Sequence, residues 1–197
     1  MAAVASASSK SKFHELLGDT LQTQDGTISV EKAVEGKKVV ALYFSAHWCP
    51  PCKAFTPKLV EWYKKYAVEK EMELVFVSSD KGEREFGGYF SEMPWKALPF
   101  SDRERKEALS QKFKVKGIPS LIFLDGEGNT LTTDGRMIFQ LDPKMESVAS
   151  WSNPKKMVLE SVGSFVNADD SKVDAADYLG KSEYIGLLYS ASWCGPC

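Results

Sequence analysis

Two C-x-x-C pairs, Cys49/Cys52 and Cys194/Cys197, constrain the fold of this chain more than any other feature of its sequence. Each pair follows a short apolar run, VVALYF in the first case and YIGLLY in the second, and each is introduced by the letters SAxW. Short apolar runs of this kind are typical of buried central strands. The pattern therefore predicts, twice, a buried strand that leads into two closely spaced cysteines.

The two pairs belong to a longer internal repeat with an offset of 145 residues. Residues 15–52 align without a gap to residues 160–197. A period of this length is the size of a domain and is too long for a solenoid repeat. We therefore expect a flexible N-terminal tail over residues 1–12, a complete domain over residues 13–151, and a linker with the incomplete start of a second domain over residues 152–197. The simplest interpretation is a fragment of a longer multidomain protein.

Composition and charge limit the partners and the cellular location that we expect for this chain. The chain has 197 residues, of which 43% are hydrophobic, and its net charge is -2 at pH 7. Phosphate-rich partners require a basic excess, so we predict no nucleic-acid partner and no membrane partner. No apolar run approaches the ~20 residues of a membrane span, and the N-terminus lacks the apolar region of a secretory signal. We expect a cytoplasmic or nuclear protein, in which cysteine pairs are more often redox-active or metal-binding than structural.

Strand and helix patterns alternate along the first domain. The predicted strands are residues 39–44, 74–79, 120–125 and 130–134, and the predicted helices are residues 53–70, 83–93 and 101–113. The last two strands are joined by the turn GEGN and should form an antiparallel hairpin. This order predicts an α/β fold with a central mixed β-sheet flanked by helices.

The first cysteine pair lies where a helix is predicted to begin. A helix N-terminus presents free N–H groups and a partial positive charge, which lower the pKa of a thiol placed there. Cys49 is therefore the predicted nucleophile, and Cys52, one turn later, is the predicted resolving thiol. Pro50 and Pro51 fit the first helical turn and stiffen the backbone between the two sulfurs.

Zinc binding and a structural disulfide are the alternatives to redox chemistry. Two C-x-x-C pairs have the ligand count of a zinc site. However, each pair follows a buried strand rather than lying in a knuckle loop, and the pairs belong to separate repeat units. A structural disulfide is disfavoured in the expected reducing compartment. The sequence therefore predicts a redox-active dithiol and no metal site.

Further motifs resemble a known family. SAHWCPPC is followed by GYFSEMPW at residues 88–95 and by GIPSLIFLD at residues 117–125. Together these motifs resemble the nucleoredoxin and tryparedoxin branch of the thioredoxin superfamily, over roughly residues 13–151. The resemblance implies a thioredoxin-like fold there, followed by the truncated start of a second thioredoxin-like domain.

The resemblance also implies roles for particular residues. Cys49 would be the exposed attacking thiolate and Cys52 the resolving thiol, with Trp48 flanking and shielding the sulfur. Pro119, which follows Ile118, would be a cis-proline that faces the disulfide and offers backbone groups to an extended substrate. The residues alone equally allow an ordinary trans proline at the start of a strand.

Two other residues near these motifs leave alternatives open. His47 could lower the pKa of the nearby thiol as an imidazolium, or it could be a solvent-facing loop residue. The second copy has Ser192 at that position, which favours the loop. Trp95 could line a substrate groove or pack in the core.

One position departs from thioredoxins proper, which have a buried Asp six residues before the first cysteine. Tyr43 occupies that position here, and Leu188 occupies it in the second copy. Neither copy therefore has the carboxylate that would relay a proton. We expect water or the neighbouring thiol to move the proton instead, as in a tryparedoxin-like protein.

These features predict a thiol–disulfide oxidoreductase that reduces protein disulfides. It would bind no cofactor and would take electrons from an external NADPH-linked reductase or a low-molecular-weight dithiol. The expected partners are disulfide-containing proteins, such as peroxidases or signalling proteins. The alternative is a binding module whose docking depends on the oxidation state of the first pair. Cys194 and Cys197 form a second redox motif that is incomplete in this chain, because the helix and cis-proline that would serve it are missing.

Overall fold

The computed structural model describes residues 11–145, 164–166 and 169–174. The chain divides into two compact units, Met1–Ala149 and Ser150–Cys197. The elements that carry the first cysteine pair all belong to the first unit. No helix among the described residues is both long enough and apolar enough to cross a membrane.

A mixed sheet of seven strands runs through the first unit, in the order β2-β1-β5-β4-β3-β6-β7. Its strands are β1 (Thr20–Thr23), β2 (Gly26–Ser29), β3 (Val39–Ser45), β4 (Met72–Ser78), β5 (Lys96–Ala97), β6 (Ser120–Asp125) and β7 (Thr130–Thr132). β3 pairs parallel with β4 and antiparallel with β6. Every residue of β3 and β4 is buried, as expected for apolar strands covered on both faces. The predicted central mixed sheet is confirmed.

The described part of the first unit contains six helices. They are α1 (Lys12–Leu17), α2 (Val30–Val34), α3 (Pro50–Tyr66), α4 (Glu83–Phe90), α5 (Arg103–Lys112) and α6 (Gly135–Leu141). α3, α4 and α5 correspond to the three predicted helices. α3 begins three residues earlier than predicted, because the two prolines after Cys49 already belong to its first turn.

Helices cover both faces of the sheet, because successive side chains of a strand point to opposite sides. On one face, apolar side chains of α1, α2 and α5 pack in one cluster with Leu42 of β3. On the other face, the ring centroid of Tyr43 lies 5.9 Å from that of Phe55 in α3. The centroids of Phe76 and Phe86 lie 5.8 Å apart, which packs α4 on the same face.

Several short elements were not predicted from the sequence, namely α1, α2, the β1–β2 hairpin, β5 and α6. The hairpin is mostly polar, and Leu21 is the buried residue of β1. β5 is two residues long and aligns in parallel with β4. Elements this short lack a detectable period, since their stability comes from packing on the sheet rather than from local propensity.

The described residues of the second unit form an antiparallel hairpin of β8 (Ser164–Val166) and β9 (Lys172–Asp174). The repeat offset of 145 residues would place copies of β1 and β2 at residues 165–168 and 171–174, which overlap this hairpin. The predicted strand YIGLLY, Cys194 and Cys197 lie outside the described residues.

Candidate active site

The first cysteine pair lies at the junction between β3 and α3. Cys49 is the N-cap residue of α3, and its backbone is extended (φ −94°, ψ 110°). Its Sγ accepts a hydrogen bond from the backbone N–H of Cys52 at 3.3 Å. Pro50 and Pro51 occupy the first turn, where a missing N–H costs the helix no hydrogen bond. The positive end of the helix dipole therefore points at the Cys49 sulfur.

Cys49 and Cys52 form a disulfide, with their Cα atoms 5.2 Å apart. The exposed fraction is 4% for Cys49 and 0% for Cys52. The small exposed part of the pair therefore belongs to Cys49. The family resemblance implied an exposed Cys49, but its side chain is buried in the disulfide because Ile118 packs against it. The roles of the two cysteines stay a prediction.

The loop that precedes β6 faces the disulfide. The peptide bond between Ile118 and Pro119 is cis, as the family resemblance implied. The carbonyl oxygen of Ile118 lies 3.7 Å from Cys49 Sγ, and the Ile118 side chain packs against both cysteines. The same loop is closed by a hydrogen bond from the Ser120 hydroxyl to the Gly117 carbonyl at 2.6 Å. Its backbone is thus held close to the sulfur that a substrate would approach.

Trp48 lies on the surface next to the disulfide in the chain. Its side chain is 55% exposed, and its indole N–H donates to the carbonyl oxygen of Ser79 at 3.0 Å. The hydrogen bond fixes the polar edge of the ring and leaves more than half of the residue in solvent. Trp48 can therefore offer an apolar contact to a partner that reaches Cys49.

A buried carboxylate, Asp80, holds the loop before the cysteines. Asp80 is 5% exposed and follows β4, which runs parallel to β3. Its Oδ1 accepts the backbone N–H of His47 at 2.7 Å, and its Oδ2 accepts the Ser78 hydroxyl at 2.8 Å. The Arg103 guanidinium donates to the Ser78 carbonyl at 3.1 Å. Burial lowers the pKa of Arg103, while the charge of Asp80 opposes that shift.

A cluster of four buried hydroxyls, called the hydroxyl cluster below, lies beneath Cys52. It consists of Tyr43, Ser45, Thr56 and Tyr89. The Thr56 hydroxyl lies 2.7 Å from that of Tyr43 and 2.5 Å from that of Tyr89, and the Ser45 and Tyr89 hydroxyls are 3.1 Å apart. Thr56 also donates to the Cys52 carbonyl at 3.0 Å. The single hydroxyl proton of Thr56 is used in the bond to Cys52. The hydroxyls of Tyr43 and Tyr89 therefore both donate to the Thr56 oxygen.

Tyr43 remains protonated in this environment. Burial raises its pKa far above the ordinary value for tyrosine, against the smaller effect of its hydrogen bonds with Ser45 and Thr56. A neutral tyrosine hydroxyl can donate a hydrogen bond to its neighbours. Near neutral pH it does not take up a proton as a carboxylate does. The position that holds Asp in thioredoxins proper therefore holds a structural hydrogen-bond donor in this chain.

The structure also decides between the two alternatives for Trp95. Trp95 is 2% exposed, and its ring meets those of Tyr43 and Tyr63 edge to face, with centroids 6.0 and 5.4 Å away. It is a core residue.

The ring of His47 lies 5.5 Å from that of Tyr89, so the imidazole packs over the hydroxyl cluster while its backbone belongs to the loop.

A metal site is not apparent in the part of the chain that the structure describes. Across residues 11–145 and the two short described segments, no group of three or more His, Cys, Asp or Glu side chains is placed to hold a metal ion. Cys194 and Cys197 are not among these residues.

Known proteins resemble this chain in sequence. The profile of a family described as Thioredoxin-like matches residues 36–130. The tryparedoxin of Trypanosoma brucei brucei is 42% identical over 124 residues, which cover 62% of this chain and 85% of that protein. This chain belongs to the thioredoxin-like oxidoreductase family of tryparedoxins and nucleoredoxins. The family resemblance inferred from the sequence motifs is confirmed.

Solved structures and longer relatives extend the comparison. The crystal structure of native tryparedoxin I from Crithidia fasciculata superposes with a TM-score of 0.64 at 42% identity, covering 68% of this chain and 94% of that one. The predicted thioredoxin-like fold is thereby confirmed. Nucleoredoxin of Danio rerio is 47% identical over 129 residues, or 65% of this chain and 29% of that protein. The chain thus spans about a third or less of the length of the nucleoredoxins it matches first.

The sequence predicted the cysteines, Trp48 and the cis-proline as residues of this candidate site, and it did not point to Asp80 or Thr56. Asp80 had a detectable signal, because it follows the strand parallel to β3 and must therefore lie at the same edge of the sheet as Cys49. Thr56 had none, since a threonine within a helix is ordinary in sequence.

Proposed function

We propose that this chain is a dithiol–disulfide oxidoreductase that reduces protein disulfides, with Cys49 as nucleophile and Cys52 as resolving thiol. The observation that carries the proposal is the Cys49–Cys52 disulfide at the start of α3, in which the exposed edge belongs to Cys49. Membership of the thioredoxin-like oxidoreductase family supports the same chemistry.

The reaction begins from the reduced pair. The Cys49 thiolate attacks one sulfur of a client disulfide, the client S–S bond breaks, and the second client sulfur leaves as a thiolate that takes up a proton. A mixed disulfide now joins Cys49 to the client. Cys52 loses its proton and attacks Cys49 Sγ, which releases the other client sulfur as a thiolate and forms the Cys49–Cys52 disulfide. Two electrons have passed from the chain to the client.

The surrounding groups favour each step of this sequence. The N-terminus of α3, including the Cys52 N–H at 3.3 Å, stabilises negative charge on Cys49. The short distance between Cys49 and Cys52 makes the resolving step intramolecular, which gives it a high effective concentration. The Ile118–Pro119 backbone bounds the surface on which the client segment would lie.

The oxidised pair would be reduced again by an external NADPH-linked reductase or by a low-molecular-weight dithiol, and no bound cofactor takes part. Disulfide-containing proteins, including peroxidases and signalling proteins, are the proposed clients. The pair would work in the cytoplasm or the nucleus, where reductants of this kind keep thiols reduced.

The deciding experiment is the reduction of insulin disulfides driven by dithiothreitol, with the wild type compared with Cys49→Ser and Cys194→Ser. We expect Cys49→Ser to abolish catalysis, because the alcohol cannot form the mixed disulfide, and Cys194→Ser to leave the rate unchanged. In a separate mixture without dithiothreitol, the reduced Cys52→Ser variant should trap the client as a Cys49–client mixed disulfide, visible by non-reducing electrophoresis.

Other outcomes would contradict the proposal. Equal rates for wild type and Cys49→Ser would place catalysis elsewhere. Absence of turnover in the wild type, together with partner binding that depends on the oxidation state of the pair, would favour a redox-dependent binding module.

A further inference from the structure

A groove beside the disulfide carries an excess of positive charge. The groove has a volume of about 760 Å³ and is lined by the end of α5, the loop that leads to Pro119 and the start of α6. Its charged side chains are four bases and one acid: Lys112, Lys114, Lys116, Arg136 and Asp134. The whole chain has a net charge of -2, so the composition does not account for this positive surface.

The four bases of this groove, called the basic groove below, are available to a ligand. All four residues are exposed, and none forms an ion pair with another described residue. Like charges gathered on a concave surface raise the local potential and attract anions. The groove therefore favours an anionic occupant.

Lys114 occupies a backbone position that favours glycine. Its φ is 51°, in the left-handed region, directly after α5 ends. The turn is closed by backbone hydrogen bonds from Lys114 to Gln111 at 3.1 Å and from Val115 to Ser110 at 2.9 Å. A glycine there would relieve the backbone strain of a side chain. Stability alone therefore does not account for a lysine at this position.

The basic groove is continuous with the candidate active site. Ile118 lines the groove, and its carbonyl oxygen lies 3.7 Å from Cys49 Sγ. Lys116 is two residues earlier, so its Cα lies within about 8 Å of that of Ile118. An extended client segment advances ~3.3 Å per residue, so residues about two to five positions from the attacked cysteine would reach the bases.

We propose that the basic groove selects client proteins in which Asp or Glu residues flank the attacked cysteine. This inference rests on the proposed reduction of protein disulfides and names its substrate class. The occupant is a segment of the client rather than the dithiol that re-reduces the pair, because the positive side chains continue along the loop away from the sulfur. An acidic segment pairs with them while its cysteine lies at Cys49.

The test uses three synthetic disulfide peptides of equal length and ring size, with Glu, Gln or Lys at the positions flanking the cystine. The reduced full-length chain is mixed with each peptide, and its oxidation is followed by tryptophan fluorescence. We expect the Glu peptide to react about tenfold faster than the Lys peptide at low ionic strength, with a difference that shrinks as salt screens the charges.

Substitutions in the basic groove test whether its lysines cause the preference for the Glu peptide. Lys114→Glu combined with Lys116→Glu should slow the Glu peptide and speed the Lys peptide, and a misfolded protein could not show that gain. Lys114→Gly should reduce the preference for the Glu peptide without lowering the free energy of unfolding measured in urea. The control is Lys64→Glu, an exposed lysine on α3 outside the groove, which should leave the ratio of the two rates unchanged.

Each contrary result has a distinct meaning. Equal rates for the three peptides would overturn the groove inference and leave the proposed function intact, whereas no reaction with any peptide or with insulin would overturn both. An equal effect of Lys64→Glu would assign the preference to the overall charge and not to the groove. The reduction of the Cys49–Cys52 disulfide by charged small dithiols is measured with the same variants. If the charge reversals change that rate and leave the peptide rates unchanged, the inference fails.

Discussion

Thr56 joins three parts of the molecule through one hydroxyl group. It donates to the carbonyl of Cys52, and it accepts from Tyr43 of β3 and Tyr89 of α4. Thr56 is 2% exposed, so no solvent replaces a lost partner. The hydroxyl cluster therefore fixes the start of α3 against the sheet, and with it the position of the cysteine pair.

Replacing Thr56 with valine keeps the volume of the side chain and removes its hydroxyl. We expect Thr56→Val to lower the free energy of unfolding by about 1–3 kcal/mol, because buried hydroxyls are left without a partner. The measurement is urea denaturation of the oxidised protein at pH 7.

Tyr43→Phe provides the control for this prediction as a double-mutant cycle. The double variant should lose less stability than the sum of the two single variants, because it removes both members of one hydrogen bond. Strictly additive losses would show that the two hydroxyls do not interact.

Among the helices, α6 packs with its backbone very close to the sheet. A Cβ atom added at Gly135 would overlap the ring of Phe123 and would lie 2.6 Å from the carbonyl oxygen of Leu121. Further along α6, the Phe139 ring packs edge to face on Phe55 of α3, with centroids 5.3 Å apart. The missing side chain at Gly135 thus allows α6 to dock beside the helix that carries the cysteines.

Two glycine-to-alanine substitutions should therefore have opposite effects. Gly135→Ala should lower the free energy of unfolding by about 1–3 kcal/mol, because the overlap outweighs the better helix propensity of alanine. Gly87→Ala, at an exposed position of α4 with no atom within 4 Å of the added Cβ, should raise it by roughly 0.5–1 kcal/mol. Thermal or urea denaturation measures both, and shifts of the same sign would contradict the proposed docking of α6.

At the scale of the whole molecule, the candidate active site lies within the first unit. Cys49, Trp48, Asp80 and the Ile118–Pro119 loop all belong to Met1–Ala149. The hydrophobic core of this unit is built from its own helices and strands. A unit with its own core can fold alone.

A chain shortened to residues 1–149 should therefore keep the proposed activity. We expect its kcat/KM for insulin reduction to stay within about twofold of that of the full chain, since an independent domain retains its site. Cys49→Ser made in both lengths serves as the control for uncatalysed reduction. A large loss of activity in the shortened chain, with its fold intact by circular dichroism, would show that residues 150–197 take part.

Features that depend on neighbouring residues could be predicted from the sequence without the structure. The apolar runs predicted β3, β4 and β6, and the position of Cys49 between a strand and a helix predicted the site, because the periodicity of a strand and the polarity of a helix start are local properties. The motif GIP, read through the family resemblance, predicted the cis bond before Pro119.

The contacts between residues that are far apart in the sequence depend on the folded structure. Asp80 reaches the N–H of His47, 33 positions away, because β3 and β4 are parallel and in register. Thr56 meets Tyr89 because α3 and α4 pack on the same face of the sheet. The basic groove likewise assembles Lys114 and Arg136 from separate elements. The contact of Thr56 with Tyr89 and the assembly of the basic groove depend on helix packing, which no local pattern encodes, because they form only when the whole core is buried together.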